Sequence, residues 1–303
     1  MIKDVYKNQV RLLLKALPEV AKETCFALHG GTAINLFVRD MPRLSVDIDL
    51  TYIPIQNRET SDRLINDALQ RIKRNLELLP GNIKVENLKE EAKLLVKNHL
   101  STIKIEVNRT KRGCFAPPQV LELNHVAQEQ FDSFCTIAVV DKGHLYGGKI
   151  CAAIDRQHPR DLFDIRYMLD TEGFTDEIKK GFLFYLISGD RPISELLFPH
   201  LPDKSLIFAN KFDGMTNDDF SYQDYEQARL GLLDAIKEHL NNEDIRFLLS
   251  IKKGEPEWDI YNFKEFPAVQ WKLQNIIALK ANNPTKHSQL YEQLKLALLK
   301  ISK

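Results

Sequence analysis

The period of the apolar positions changes repeatedly along the first half of the chain. Residues 2–22 repeat at helical spacing through Val5, Leu12, Leu13, Leu17 and Val20, with Pro18 expected to kink the helix. A short buried strand is predicted at Phe26–His29, a helix at 32–38 and a strictly alternating strand at 46–53. Residues 59–79 form a long amphipathic pattern with Arg63, Arg71, Lys73 and Arg74 on its polar side. The runs "NIKVENL", "KLLVKN" and "STIKIEVNRT" are rich in β-formers and separated by turn residues, which predicts antiparallel strands. After "FAPPQ" one more strand-like run, "CTIAVVD", precedes a change of character. From there the period stays near 3.6, predicting helices at 143–156, 160–169, 175–188, 218–240, 243–252, 264–280 and 286–301. Gly173, "SGDRP", "KKGEP" and "ANNP" punctuate them.

The pattern predicts an α+β chain: a mixed-sheet domain over residues 1–140, then an α-helical domain over 141–303. Hydrophobic residues at 44% and charged residues at 28% fit a globular protein rather than a disordered one. Lysine plus arginine equals aspartate plus glutamate, 42 each, so any polyanion must be held by a local patch rather than by net charge. The four cysteines (Cys25, Cys114, Cys135, Cys151) lack metal-ligand spacing and read as free thiols of a reducing, cytoplasmic compartment. The N-terminal stretch has no signal-peptide apolar core, and no run approaches eighteen apolar residues, so no membrane partner is expected.

Candidate chemistry concentrates in "CFALHGGTAINLFVRDMPRLSVDIDL". In "VDIDL", Val46, Ile48 and Leu50 face one way and Asp47 and Asp49 the other. Two residues of strand rise set the carboxylates roughly 7 Å apart, a span suited to divalent cations. Alone, such a pair also describes an amphipathic strand with a wet face. Gly30 and Gly31 end the preceding strand and open a helix, where bare N–H groups can meet phosphate. Thr32 offers a hydroxyl to phosphate or caps that helix. In "TIKIEV", Glu106 stands on the polar face of a later strand, placed as a third metal ligand and a proton acceptor. Arg43 and Ser45, just before the aspartates, can brace phosphate or the acids, or only shape the turn.

The arrangement resembles the nucleotidyltransferase superfamily, whose pattern is hG[GS] followed by Dh[DE]h and a later acid. It is more closely similar to the AbiEii/AbiGii-type toxin nucleotidyltransferases, including the MenT-like proteins. "HGGTAINLF…RLSVDIDL" looks like their first motif, and "GGKICAAIDRQHPRDLFDIRYML" like their lysine helix and D-L-[FY]-D-[IL] segment. The resemblance covers residues 25 to about 170. It departs at Gly31, where many superfamily members carry serine; that phosphate contact is absent here or moves to Thr32. The resemblance implies a nucleotidyltransferase-fold domain whose cleft the helical domain completes. It further implies transfer of NMP from NTP, with Mg²⁺ or Mn²⁺, to an acceptor such as the 3′ end of tRNA. Members are commonly toxins restrained by an antitoxin protein.

Carried onto this chain, the catalytic set is Asp47, Asp49, Glu106, Lys149 and Asp164, with Asp47, Asp49 and Glu106 as the metal ligands. The nucleotide-binding set is Gly30, Gly31, Thr32, Arg43, Ser45, Lys149, Arg156 and Asp161. Lys149 opens a helical face that continues through Ala152, Ala153 and Arg156, while Asp161 and Asp164 share a face of the next helix. The alternatives are NMP transfer to a protein or small molecule, or a non-catalytic nucleotide-binding module that sequesters a partner. The presence of all three carboxylates and Lys149 argues against the latter. "GHLYGGKI" also satisfies G-x-x-x-x-G-K, but Ile150 replaces the hydroxyl residue a P-loop needs and helices follow. Arg109, Lys111 and Arg112, with the basic face of the 59–79 helix, can grip an RNA backbone or be plain solvated surface.

Overall fold

A computed structural model describes residues 2–301. Two compact units divide the chain: Met1–Asp141 together with Phe212–Asp219, and Lys142–Lys211 together with Phe220–Lys303. The chain therefore leaves the first unit, enters the second, and returns for eight residues before rejoining the second.

The first unit is built on a seven-stranded mixed sheet among the described residues. Its strands are β1 (Phe26–His29), β2 (Asp47–Tyr52), β3 (Lys84–Leu88), β4 (Lys93–Lys97), β5 (Thr102–Asn108), β6 (Gln119–Glu122) and β7 (Thr136–Val139). Their order is β3-β4-β5-β2-β1-β7-β6. The β3–β4–β5 run is antiparallel, as its turn signals predict, while β5 joins β2 in parallel, a pairing no local signal specifies. Strict alternation on β2 and β5 buries Ile48, Leu50, Ile103, Ile105 and Val107 and turns the acidic positions to the other face. Helices α1 (Asp4–Ala21) and α3 (Arg58–Leu78) pack on the sheet through Leu12, Leu13, Leu17, Ile65, Leu69 and Ile72. Helix α1 runs through Pro18 without ending there.

Helix α2 begins at Gly30, two residues earlier than the pattern predicts, and after Ala33 the chain widens into a π-helical turn, Ile34–Val38. The widening leaves carbonyls for other partners: Asn124 donates to the carbonyls of Asn35 and Arg39 through its side chain and to Leu36 through its backbone. Asn124 also caps α4 (His125–Phe131). Strand β6 and α4 are unmarked by the sequence pattern; β6 is short and mostly exposed, so it has no apolar alternation.

The second unit is helical: α5 (Lys142–Arg156), α6 (Pro159–Thr171), α7 (Asp176–Ser188), α8 (Ile193–Leu197), α9 (Ser205–Lys211), α10 (Tyr222–His239), α11 (Asn242–Lys253), α12 (Pro267–Asn282) and α13 (Pro284–Leu298). Its core is aromatic, with Tyr146, Phe163, Phe182, Phe184, Tyr225, Phe247 and Phe263 buried. The short α8 and α9 lack an amphipathic period long enough to predict. No helix of the described residues is long and apolar enough to cross a membrane.

Candidate functional site

Sheet register gathers the acidic residues. Asp49 lies opposite His29 on one side and Glu106 on the other, and Glu106 lies opposite Lys93. Opposed residues on neighbouring strands share a face about 4.8 Å apart, so His29, Asp49, Glu106 and Lys93 form a row across four strands. One step along, Asp47 lies opposite Lys104. Glu106 is 48% exposed at its side chain and pairs with Lys93 at 3.5 Å; Lys93 also binds Glu91 at 2.7 Å. His29 stands at the head of the glycine motif, whereas Lys93 belongs to no motif and joins the row by register alone.

The three acids do not converge into one cage. Among the described residues no group of three or more His, Cys, Asp or Glu side chains is gathered closely enough to hold a metal ion. Glu106, drawn to Lys93, departs here from the expected three-carboxylate set. Asp47 and Asp49 still fit a divalent cation, since Mg²⁺ is commonly held by one or two carboxylates plus substrate phosphates rather than by a protein cage.

The glycine pair determines what can approach them. Gly30 has φ +74°, and a Cβ there would lie 2.5 Å from Oδ2 of Asp49. Any side chain would fill the space in front of that carboxylate and strain the left-handed backbone. A Cβ on Gly31 would lie 2.8 Å from Nη2 of Arg43 and 3.0 Å from Oγ of Ser45. The bare turn thus places Asp49, Arg43 and Ser45 against two α-carbons, although Arg43 and Ser45 are themselves buried. The Arg43 guanidinium also donates to the Leu44 carbonyl at 2.9 Å. Thr32 points inward: fully buried, its hydroxyl donates to the Asp47 carbonyl and lies 3.0 Å from the Ser45 hydroxyl. In this structure it anchors the aspartate strand instead of facing phosphate. Ser45, already against the glycine turn, is the better-placed hydroxyl.

In the second unit, Lys149 lies in the middle of α5 rather than opening it, and it is sealed. Its ammonium pairs with Asp161 at 2.9 Å and Asp164 at 3.0 Å, with side-chain exposures of 6%, 3% and 0%. Arg156 adds a bond of 2.6 Å to Asp161. Burial alone would raise the Asp161 pKa, but the charges of Lys149 and Arg156 outweigh it and hold the carboxyl well below its ordinary range. One glycine of the P-loop-like stretch, Gly147, has a separate explanation. Cβ atoms on Gly147 and Gly181 would lie 2.2 Å and 1.8 Å from backbone atoms of α7 and α5, so these glycines let the two helices touch.

The expected basic patch is partly spent internally. Arg109 is held by Asp62 at 2.6 Å and by the Glu90 carbonyl at 2.8 Å, and Arg112 is buried. On α3, Arg71 pairs with Glu23 and Lys73 with Glu77. Thiol chemistry is disfavoured, because burial pushes Cys25 up to about 11 and Cys114 up to about 12.

A mixed sheet whose helix-opening glycines face a D-x-D strand places the protein among nucleotidyltransferases. The family profile described as "Nucleotidyl transferase AbiEii toxin, Type IV TA system" matches residues 11–275, and the chain belongs to this family of nucleotidyltransferase toxins of type IV toxin–antitoxin systems. The match runs well past both ends of the resembling motifs. The fold is similar to that of MenT4, a nucleotidyltransferase toxin from Mycobacterium tuberculosis H37Rv, at 14% identity and a TM-score of 0.58, covering 88% of this chain and 92% of that one. Curated protein sequences give no match.

Proposed function

We propose that the Asp47–Asp49–Glu106 face is the transfer site, moving NMP from NTP to a hydroxyl of RNA, with the 3′ end of tRNA as acceptor. One observation carries this reading: register sets Glu106 beside Asp49, and Gly30 brings bare backbone, with no Cβ, up to the Asp49 carboxylate. The acceptor oxygen forms a bond to the α-phosphorus, the bond to the pyrophosphate oxygen breaks, and pyrophosphate leaves. The acceptor proton passes to the Glu106 carboxylate, which is solvent-exposed and can turn between Lys93 and an incoming hydroxyl. A divalent cation, Mg²⁺ or Mn²⁺, bound by Asp47 and Asp49 supplies positive charge against the triphosphate. Arg43, Ser45 and the Gly30 and Gly31 amides hold the phosphates. For Lys149 we propose the phosphate role that the family resemblance implies, with Asp161 and Asp164 fixing its ammonium and Arg156 holding Asp161.

RNA is favoured by the likeness of the motifs to MenT-like toxins. With Arg109 held by Asp62 and Arg112 buried, the attraction for phosphodiesters is assigned to Lys104, exposed on the acid face in register with Asp47. The protein acts in the cytoplasm, where NTP, tRNA and its antitoxin are together. Incubating it with each α-labelled NTP and total cellular RNA and protein tests the reading. Label in tRNA supports it; label only in protein or a small molecule refutes the RNA acceptor and leaves NMP transfer standing.

A further inference from the structure

The eight residues that return to the first unit, Phe212–Asp219, come from between α9 and α10, more than 160 residues along the chain from the loop they meet. That loop, residues 40–46, carries Arg43 and Ser45 and ends at Asp47. The backbone N–H of Leu44 donates to the Met215 carbonyl at 2.8 Å, the Thr216 hydroxyl donates to the Pro42 carbonyl at 2.7 Å, and Arg43 and Thr216 form an antiparallel bridge. The segment is itself pinned. Met215 and Phe212 are buried, the Lys3 backbone N–H donates to Gly214, and the Lys3 side chain binds Asp213 at 2.9 Å. Gly214 has φ +79°, a left-handed conformation that favours glycine, and a Cβ there would lie 2.6 Å from the Lys3 side chain.

A loop needs no such tether merely to connect β1's helix to β2. Its backbone groups could face water, yet Met41, Arg43, Leu44, Ser45 and Val46 are all buried, and the strap satisfies the Leu44 N–H and the Pro42 carbonyl. Both attachments flank Arg43, whose guanidinium lies against Gly31. Moving Leu44 or Pro42 by a single ångström moves that guanidinium relative to the glycine turn, and displacements of this size matter at binding sites.

We propose that the 212–219 strap, through Thr216 and the Met215 carbonyl, is a positioning element that sets Arg43 and Ser45 for the nucleotide's phosphates. The inference rests on the proposed nucleotide site. Thr216 touches no phosphate; it acts through Pro42 and Arg43. Its hydroxyl also accepts from the Asp218 N–H at 2.9 Å, so one side chain fixes both the strap's own turn and the loop.

The test compares Thr216→Val, which keeps shape and removes the hydroxyl, with Thr216→Ser, which restores it. Affinity for a fluorescent NTP with Mg²⁺ and the kinetic constants for transfer are measured beside melting temperature. The strap predicts about a tenfold rise in Kd and in KM for NTP with Thr216→Val, the size expected of one misplaced charge-assisted contact, a smaller change in kcat, and recovery with Thr216→Ser. Hydrogen exchange on the unmodified protein supplies a second readout: NTP with Mg²⁺ should slow exchange over 212–217 together with 41–46. Unchanged NTP affinity in Thr216→Val, while Arg43→Ala binds weakly, would overturn the strap and leave the nucleotide site intact. Unchanged affinity in Arg43→Ala would remove the site reading and the strap with it. An exchange response confined to 41–46 also overturns the proposal.

Discussion

The acidic residues of the two units live under opposite conditions. On the sheet, Glu106 is about half exposed and the aspartates stand at partly open positions next to a turn stripped of side chains. In the helical unit, Asp161 and Asp164 are shut away with Lys149, and Arg156 closes the group to two positive and two negative charges. The first arrangement is partly open to solvent, with Glu106 shared with Lys93; the second is balanced within itself. Open acids pay little in desolvation and can serve a ligand, whereas a sealed ion-pair cluster holds its own partners in fixed orientation. The difference predicts that substitutions on the sheet remove activity and spare the fold, and that substitutions in the helical cluster strike the fold first.

The largest effect is expected at the sheet. Asp49→Asn or Asp47→Asn should lower transfer by about a thousandfold or more, the several kcal/mol that a metal ion contributes to a phosphoryl transition state. The melting temperature should stay level or rise, because one of two like charges is gone. Labelled transfer and calorimetry on the same preparations check both halves.

Asp161→Asn should behave in the reverse sense. Removing one anion leaves the buried Lys149 with Asp164 and takes the Asp161 carboxylate from Arg156, a loss of about 3–5 kcal/mol by urea unfolding. Acid sharpens the same point. The Asp161 carboxyl is held below its ordinary range, so its contribution is complete above about pH 4 and fades as pH falls toward the lowered folded-state value. The stability gap between the parent and Asp161→Asn should therefore shrink as unfolding is repeated from pH 7 down to pH 3. A constant gap would remove ionised Asp161 from the account.

A smaller effect is expected at Lys104. Lys104→Glu should lower RNA modification severalfold at moderate salt and flatten its salt dependence by about one phosphate's worth, with NTP affinity unchanged. An equal loss of NTP affinity would move Lys104 from the acceptor to the nucleotide.

Much of this was legible in the chain because its signals are local. Alternation in "VDIDL" and "TIKIEV" fixed which side chains face away from the core, and the paired glycines marked the turn. Pairing partners were not legible: nothing in either strand says that Asp49 meets Glu106, or that Lys93 and His29 complete the row. Thr32 looked available because a hydroxyl after two glycines commonly is, but helix rotation buries it against Asp47. The charge of Arg109 is legible in the sequence, but its partner, the Asp62 carboxylate 47 residues away, is not. The return of residues 212–219 to the first unit carries no periodic signal, being too short and tied mainly through backbone groups.

On the proposed function, Asp47 and Asp49 bind the metal-nucleotide complex. Thermal unfolding with NTP and Mg²⁺ together, NTP alone and Mg²⁺ alone, in the parent protein and in Asp49→Asn, tests it most directly. At a hundredfold excess over Kd, a ligand specific to the folded state adds about 2.7 kcal/mol of stability. The account predicts a clear rise in melting temperature for the parent only when both components are present, and a much smaller rise for Asp49→Asn. An equal rise in both proteins would contradict it.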